Sequence, residues 1–103
     1  MRAPSIEQIT DVVAQEWSVP VALLRSEQRT VSVTEPRGVI YVLARERTDL
    51  TWAAIAAHFG RGVRGAIDAH HATVARIAKD KQLRARVRKV LAQLAQTERK
   101  GGG

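Results

Sequence analysis

Apolar positions recur at helical intervals along most of the chain. Ile6, Ile9, Val13 and Trp17 follow one another at spacings of three and four, the mark of one helix face. Ser5, with Gln8 three residues on, makes a capping box, so the pattern predicts a helix from about 5 to 17. Val19-Pro20 ends it, and Val21 to Arg25 can form a short second helix. Residues 26–34 are polar and β-branched and read as a loop; a short strand competes, but no partner strand is evident. Pro36 sits where a helix can begin, with Ile40, Leu43, Ala44 and Arg47 on one face and an end near Thr48-Asp49. Thr51 is a good N-cap for a short helix, Trp52 to His58, which Phe59-Gly60 breaks, Gly60 suiting the left-handed position after a helix. Val63, Ile67, Val74 and Ile77 form one stripe of a helix from about 62 to 78, and Leu83, Val87, Leu91 and Leu94 one of a last helix from about 80 to 97. Arg99 to Gly103 reads as a disordered tail, leaving a single domain at 1–98. The expected fold is an all-α bundle of five to six helices without a sheet. Trp17, Ile40, Leu43, Ile55, Phe59, Ile67 and Val74 are expected to be buried.

Composition sharpens this picture. The 103 residues are 45% hydrophobic but only 4% aromatic, so the core must be aliphatic and rich in alanine, which favours helix. Cysteine is absent, which excludes disulfides and thiolate metal sites and is compatible with a cytoplasmic, nucleoid-associated location. No apolar signal segment follows Met1, and no uncharged apolar run approaches the roughly 20 residues that span a bilayer.

The net charge of +7 is unevenly placed. Residues 1–50 hold six Lys/Arg against seven Asp/Glu, and residues 51–103 hold eleven against three, so the halves carry −1 and +8. A basic half points to a polyanion, nucleic acid before an acidic membrane surface.

The segment from Thr51 to Gly60 carries a helix-turn-helix pattern: a cap, an inward apolar residue at Ile55, a small residue at Ala56 where two helices meet, and a glycine at the turn. A second helix opening at Arg61-Gly62-Val63-Arg64 would face the major groove. The wider order of elements resembles the C-terminal DNA-binding domain, domain IV, of the bacterial replication initiator DnaA. The likeness runs from about Ser5 to Leu94. Trp17-Ser18-Val19-Pro20-Val21-Ala22 looks like the family's I-x-V-x-x-L connection. Pro36-Arg37 with Tyr41 to Thr48 is similar to its RPRQ…YLxRExT helix, and Thr51 to Gly60 to its SLxxIGxxFG. The resemblance implies a helical bundle with an embedded helix-turn-helix that binds double-stranded DNA as a regulator of replication or transcription.

The departures lie where the family reads sequence. Its GGRDHxTV aligns without gaps to Gly60 through Ile67, so Val63, Arg64 and Gly65 replace the Asp-His-Thr set. An alternative register on His71-Ala72-Thr73-Val74 needs an insertion in the turn. Glu35 takes the place of the family's minor-groove arginine and is expected to repel DNA, so that Glu35→Arg would strengthen binding. Weak or altered sequence preference is the expectation. The candidate DNA-binding residues are Thr51, Arg61, Gly62 and Arg64 at the groove. Arg29, Arg37, His71, Arg84 and Arg88 are candidates on phosphates, the last two within a cluster of Lys79, Lys81, Arg84, Arg86, Arg88 and Lys89.

No Gly-x-x-x-x-Gly-Lys-Ser/Thr loop occurs, so with Met1 as the native start the chain reads as a stand-alone relative without an ATPase. His58, His70 and His71 lack helical metal spacing, and His70 reads as a packed core residue. No catalytic set is evident; neither an enzyme nor a cofactor is expected. The rival reading is a protein-interaction module, an adaptor or antagonist of the replication initiator or helicase-loading proteins, that has lost DNA-box recognition.

Overall fold

Local chemistry sets the helix ends. The Gln8 N–H donates to Ser5 Oγ at 3.1 Å and the Ser5 N–H donates to Gln8 Oε1 at 2.8 Å, closing the capping box of α1 (Ile6–Trp17). Ser18 turns left-handed at φ 54° and Pro20 opens α2 (Val21–Leu24). Thr51 caps α4 (Trp52–His58) by accepting the Ala54 N–H at 3.1 Å. Gly60, at φ 62°, makes the turn into α5 (Val63–Lys79); only glycine takes that conformation without strain. Asp80 Oδ1 accepts the N–H groups of Gln82 and Leu83 at 3.0 and 3.1 Å and starts α6 (Lys81–Gly102). This computed structural model describes residues 3–102, with side chains for residues 3–96, and among them there is no strand.

The remaining helix, α3 (Val31–Arg47), departs from expectation. It begins at Val31, five residues before Pro36, inside the segment read as a loop. Pro36 lies within it and removes one backbone donor. Packing overrides local propensity here: Val33 is fully buried, and a helix delayed to Pro36 would not place it in the core.

α3 is the centre of the molecule. Every residue from Pro36 to Ala44 is buried, a helix enclosed on all sides rather than on the one face expected. α1, α2, α4 and α5 pack around it, and α6 lies across α1 and α5.

α5 also corrects the sequence reading. Its buried face is Ala66 and Thr73, while Val63 and Val74 of the expected stripe are 40% and 45% exposed and Ile67 is half-buried. The cause is close approach. A Cβ at Gly38 of α3 would overlap the Thr73 hydroxyl, so α5 turns its small side chains toward α3 and its valines outward. The other expected burials hold: Trp17, Ile40, Leu43, Ile55 and Phe59 are all in the core. On α6 the core residues are Leu83, Val87, Val90 and Leu94, with Leu91 at the edge. The α6 backbone continues through Gly102; the side chains of the expected tail at 99–103, and Gly103 itself, lie outside the described residues. Among the described residues no helix is long and apolar enough to cross a membrane.

The Gly38–Thr73 contact is testable by denaturant unfolding. Gly38→Ala is expected to cost about 1–3 kcal/mol, as overpacking does. Thr73→Ala in the same chain should recover part of that loss, since it empties the space the new methyl needs.

Candidate nucleic-acid interface

The helix-turn-helix is built from α4, a four-residue turn and α5. Ile55 and Ala56 are buried beneath α4, and Phe59 packs edge-on against Tyr41 of α3 with ring centroids 5.4 Å apart. The Arg61 N–H donates to the Ala56 carbonyl at 2.9 Å and the Gly60 N–H to that of Ala57 at 3.0 Å, so the turn is closed by its own backbone. Trp52 of α4 meets His70 of α5 edge-on at 5.1 Å, and the Arg45 guanidinium lies over the Trp52 ring at 5.6 Å. Val63, Arg64 and Gly65 stand at the start of α5, whereas Thr73 lies farther along it and is buried.

That first turn is open to solvent. Val63, Arg64 and Gly65 are exposed, and at about 100° per residue Arg64 shares a face with the exposed Asp68, His71 and Ala75. Among the described residues no hydrogen bond or ion pair occupies the Arg64 guanidinium. Gly62 is the N-cap and has no side chain to accept the leading N–H groups. A Cβ built at Gly62 or Gly65 meets nothing within 4 Å. A glycine inside a helix costs roughly 1 kcal/mol relative to alanine, so Gly65 is a residue the fold does not ask for.

The cations divide into two groups. Arg37, expected on phosphate, is 4% exposed. Its Nε donates to the Leu24 carbonyl at 2.8 Å, Nη1 to that of Gln28 at 3.0 Å and Nη2 to that of Ser26 at 2.9 Å. Burial, and then the charge of Arg61, pull its pKa below the ordinary guanidinium value; with three carbonyl acceptors it stays charged. Arg61, expected at the groove, reaches the same Ser26 carbonyl through Nη2 at 2.7 Å. Arg25 donates from Nε to the His58 carbonyl at 2.9 Å. Three arginines thus clasp the α2–α3 loop to the helix-turn-helix, a role that sequence spacing does not reveal. Arg84 likewise serves the fold: its Nη1 donates to the carbonyls of Ile77 and Ala78 at 3.0 and 2.9 Å and closes the end of α5. Arg29 on the clasped loop, Thr51, Gly62, Arg64, His71 and Arg88 remain exposed. Arg45 and Arg47, at the end of α3 and exposed close to Thr51 in sequence, were not among the expected contacts.

Glu35 also has a structural task. Its Oε2 accepts the Trp17 Nε1–H at 3.0 Å and its Oε1 accepts from Arg76 Nη2 at 3.0 Å. The Arg86 guanidinium covers the Trp17 ring at 4.4 Å and donates through Nη2 to the Glu16 carbonyl at 3.0 Å. Glu35 therefore joins α1, α3 and α5, a structural task that the sequence reading did not assign to it. Arginine there would lose the tryptophan's acceptor and face Arg76. Among the described residues no group of three His, Cys, Asp or Glu side chains is placed to hold a metal ion.

Residues 6–80 match the family model described as Bacterial dnaA protein helix-turn-helix. The match runs from the start of α1 through α5 and ends at Asp80, so α6 lies beyond it. It covers every element that builds the exposed first turn of α5.

Two outcomes follow from these contacts. Glu35→Arg should lower stability by about 1–3 kcal/mol, the cost of an orphaned buried donor. Glu35→Gln keeps an acceptor for Trp17, loses a half-exposed ion pair, and should cost under about 1 kcal/mol. Thermal melting of both variants checks this. The second outcome concerns pH. Burial first, then Arg25 for His58 and His71 for His70, hold both imidazoles below their ordinary pKa. The folded state therefore binds protons less readily than the unfolded one. Their contribution is fully present above the ordinary imidazole value near 6.5 and is lost as pH falls through the lower folded values. Tm should decline from pH 7 to 5, and less so in a His58→Gln/His70→Gln protein.

Proposed function

The chain belongs to the bacterial DnaA helix-turn-helix family, a family of DNA-binding domains, and from that premise we propose that it binds duplex DNA with an altered sequence preference. The first turn of α5 enters the major groove. The observation that carries this reading is Arg64: exposed, without a partner among the described residues, and at the second position of the helix that follows the turn. A guanidinium there can fork onto guanine O6 and N7. Val63 beside it offers a methyl surface rather than a carboxylate, and Gly65 offers no side chain. The family's Asp-His-Thr reading set is therefore replaced, and preference for the family's usual DNA box over random duplex should be less than about tenfold, or roughly 1.4 kcal/mol.

Phosphate contacts fall to the exposed cations. Arg29 sits on the loop that Arg37 and Arg61 hold in place, His71 lies farther along the Arg64 face, and Arg88 belongs to the solvent side of α6. Arg37 and Arg61 act by positioning that loop rather than by reaching the duplex. Biologically, such a domain suits a regulator of replication or transcription.

Titration of the protein with duplex DNA at several salt concentrations tests the reading. Binding should weaken steeply with salt, and Arg29→Ala should lower the slope of log K against log salt by about 0.9, the value for one lost phosphate contact. Arg64→Ala should remove about 1–3 kcal/mol of whatever base discrimination the wild type has. Absence of DNA binding at low salt would overturn the proposal and favour a protein-interaction role.

A further inference from the structure

The described side chains of α6 carry charge of one sign. Residues 81–96 hold five Lys/Arg and no Asp/Glu. Arg84 and Arg86 have tasks in the fold, on the carbonyls that end α5 and on Glu16. Lys81, Arg88 and Lys89 are exposed, as is Lys79 at the end of α5, and among the described residues no ion pair holds any of the four. This placement costs the helix stability. Lys81 with Arg84, and Arg84 with Arg88, are like-charge neighbours at three and four residues. Lys81 also stands at the positive end of the helix dipole. With Ala75, Arg76, Asp80 and Gln82, the two lysines Lys79 and Lys81 line an open cleft of about 480 Å³ where α5 meets α6. Asp80, the acid of that lining, already accepts the N–H groups of Gln82 and Leu83.

A duplex engaged by Arg64 does not reach this cleft. Arg64 and Lys79 are fifteen residues apart on α5, about 22 Å along its axis, whereas the major groove is only about 8.5 Å deep. A duplex laid lengthwise along the same side would meet Asp68, exposed on the Arg64 face between them. We infer that the α5–α6 cleft and the Lys81–Arg88 face of α6 bind the phosphates of a second DNA duplex, so that one copy of the chain bridges two. The inference rests on the proposed entry of α5 into the groove, and the phosphate contact of Arg88 is then made on the second duplex. Lys81 and Arg88 are seven residues apart, about 10 Å along one face of α6. Duplex DNA carries one negative charge per about 1.7 Å of its axis, so several phosphates fall within that length. Carboxylates on one face of a partner's helix recur only about every 5–6 Å and would match the stripe less well. Such phosphate contacts carry no sequence information, so the second duplex is held whatever its sequence.

Native mass spectrometry of the protein with excess duplex of two helical turns, about 21 base pairs, counts the duplexes held per chain. At low salt the wild type should appear as one chain with two duplexes. The double variant Lys79→Gln/Lys81→Gln should hold the first duplex with an affinity within about twofold of the wild type. Its second binding step should weaken roughly tenfold or more, and the salt slope of that step should fall by about 1.8, the loss of two phosphate contacts. Its Tm should not drop, since the substitutions relieve like-charge repulsion. A single duplex per chain at saturation would overturn the inference, leave DNA binding itself intact and turn the cleft toward an acidic protein segment. Two duplexes joined only by a pair of chains, or a second duplex retained by the double variant, would overturn it as well. A wild type that binds no duplex overturns both this inference and the reading beneath it.

Discussion

A helix buried on every side has no polar face through which to compromise with water, and α3 is such a helix from Pro36 to Ala44. Each neighbour must then present a surface that fits it. α5 does so with Ala66 and Thr73, the latter against Gly38. α4 does so with Ile55 and Ala56, and the turn with Phe59 against Tyr41. The one ion within this stretch, Arg37, cannot reach bulk water. A buried guanidinium is tolerable only with acceptors, and the acceptors available are the carbonyls of residues 24, 26 and 28. Satisfying Arg37 therefore shapes the α2–α3 loop. Arg61 bonds to the same Ser26 carbonyl, so the loop and the helix-turn-helix turn are located by one shared oxygen.

This arrangement separates the cations by consequence. Arg25, Arg37, Arg61 and Arg84 hold backbone carbonyls, and Arg76 and Arg86 are tied to the Trp17–Glu35–Glu16 group. A large share of the basic charge is therefore internal scaffolding, and the excess of +8 in residues 51–103 overstates what a polyanion would meet. Exposed pairs such as Arg76 with Glu35 contribute little each, whereas removing one partner of Arg37 would orphan a buried charge.

Much of the fold was legible in sequence because it is written in local signals. The Ser5–Gln8 box, the Thr51 cap, Gly60 and the apolar stripe of α6 are each decided by residues a few positions apart. What was not legible depends on contacts between distant segments. Residues 31–35 have loop-like composition, and only the burial of Val33 draws them into a helix. The stripe Val63, Ile67 and Val74 satisfies helical periodicity, yet the approach of Gly38 to Thr73 selects a different face. Arg37 and Glu35 read as surface charges because nothing in the linear sequence announces their partners 13 and 18 residues away. Of the candidate residues, Arg64 and Gly62 stand at the open start of α5, whereas Arg37, Arg61 and Arg84 are engaged by backbone carbonyls.

The residues that would read DNA are also those the core does not use. Val63, Arg64 and Gly65 are exposed, and the turn that precedes them is closed by its own backbone hydrogen bonds and anchored by Phe59 and Arg61. Their identity can change without disturbing α3 or the clasped loop. Substitutions at these exposed positions can therefore leave the scaffold of the domain intact. Arg37 and Glu35 are constrained in the opposite sense. Each is bound to groups that fix helix positions. A change at either therefore acts first on the geometry of the domain, whereas the exposed Arg64 side chain can be changed without disturbing it.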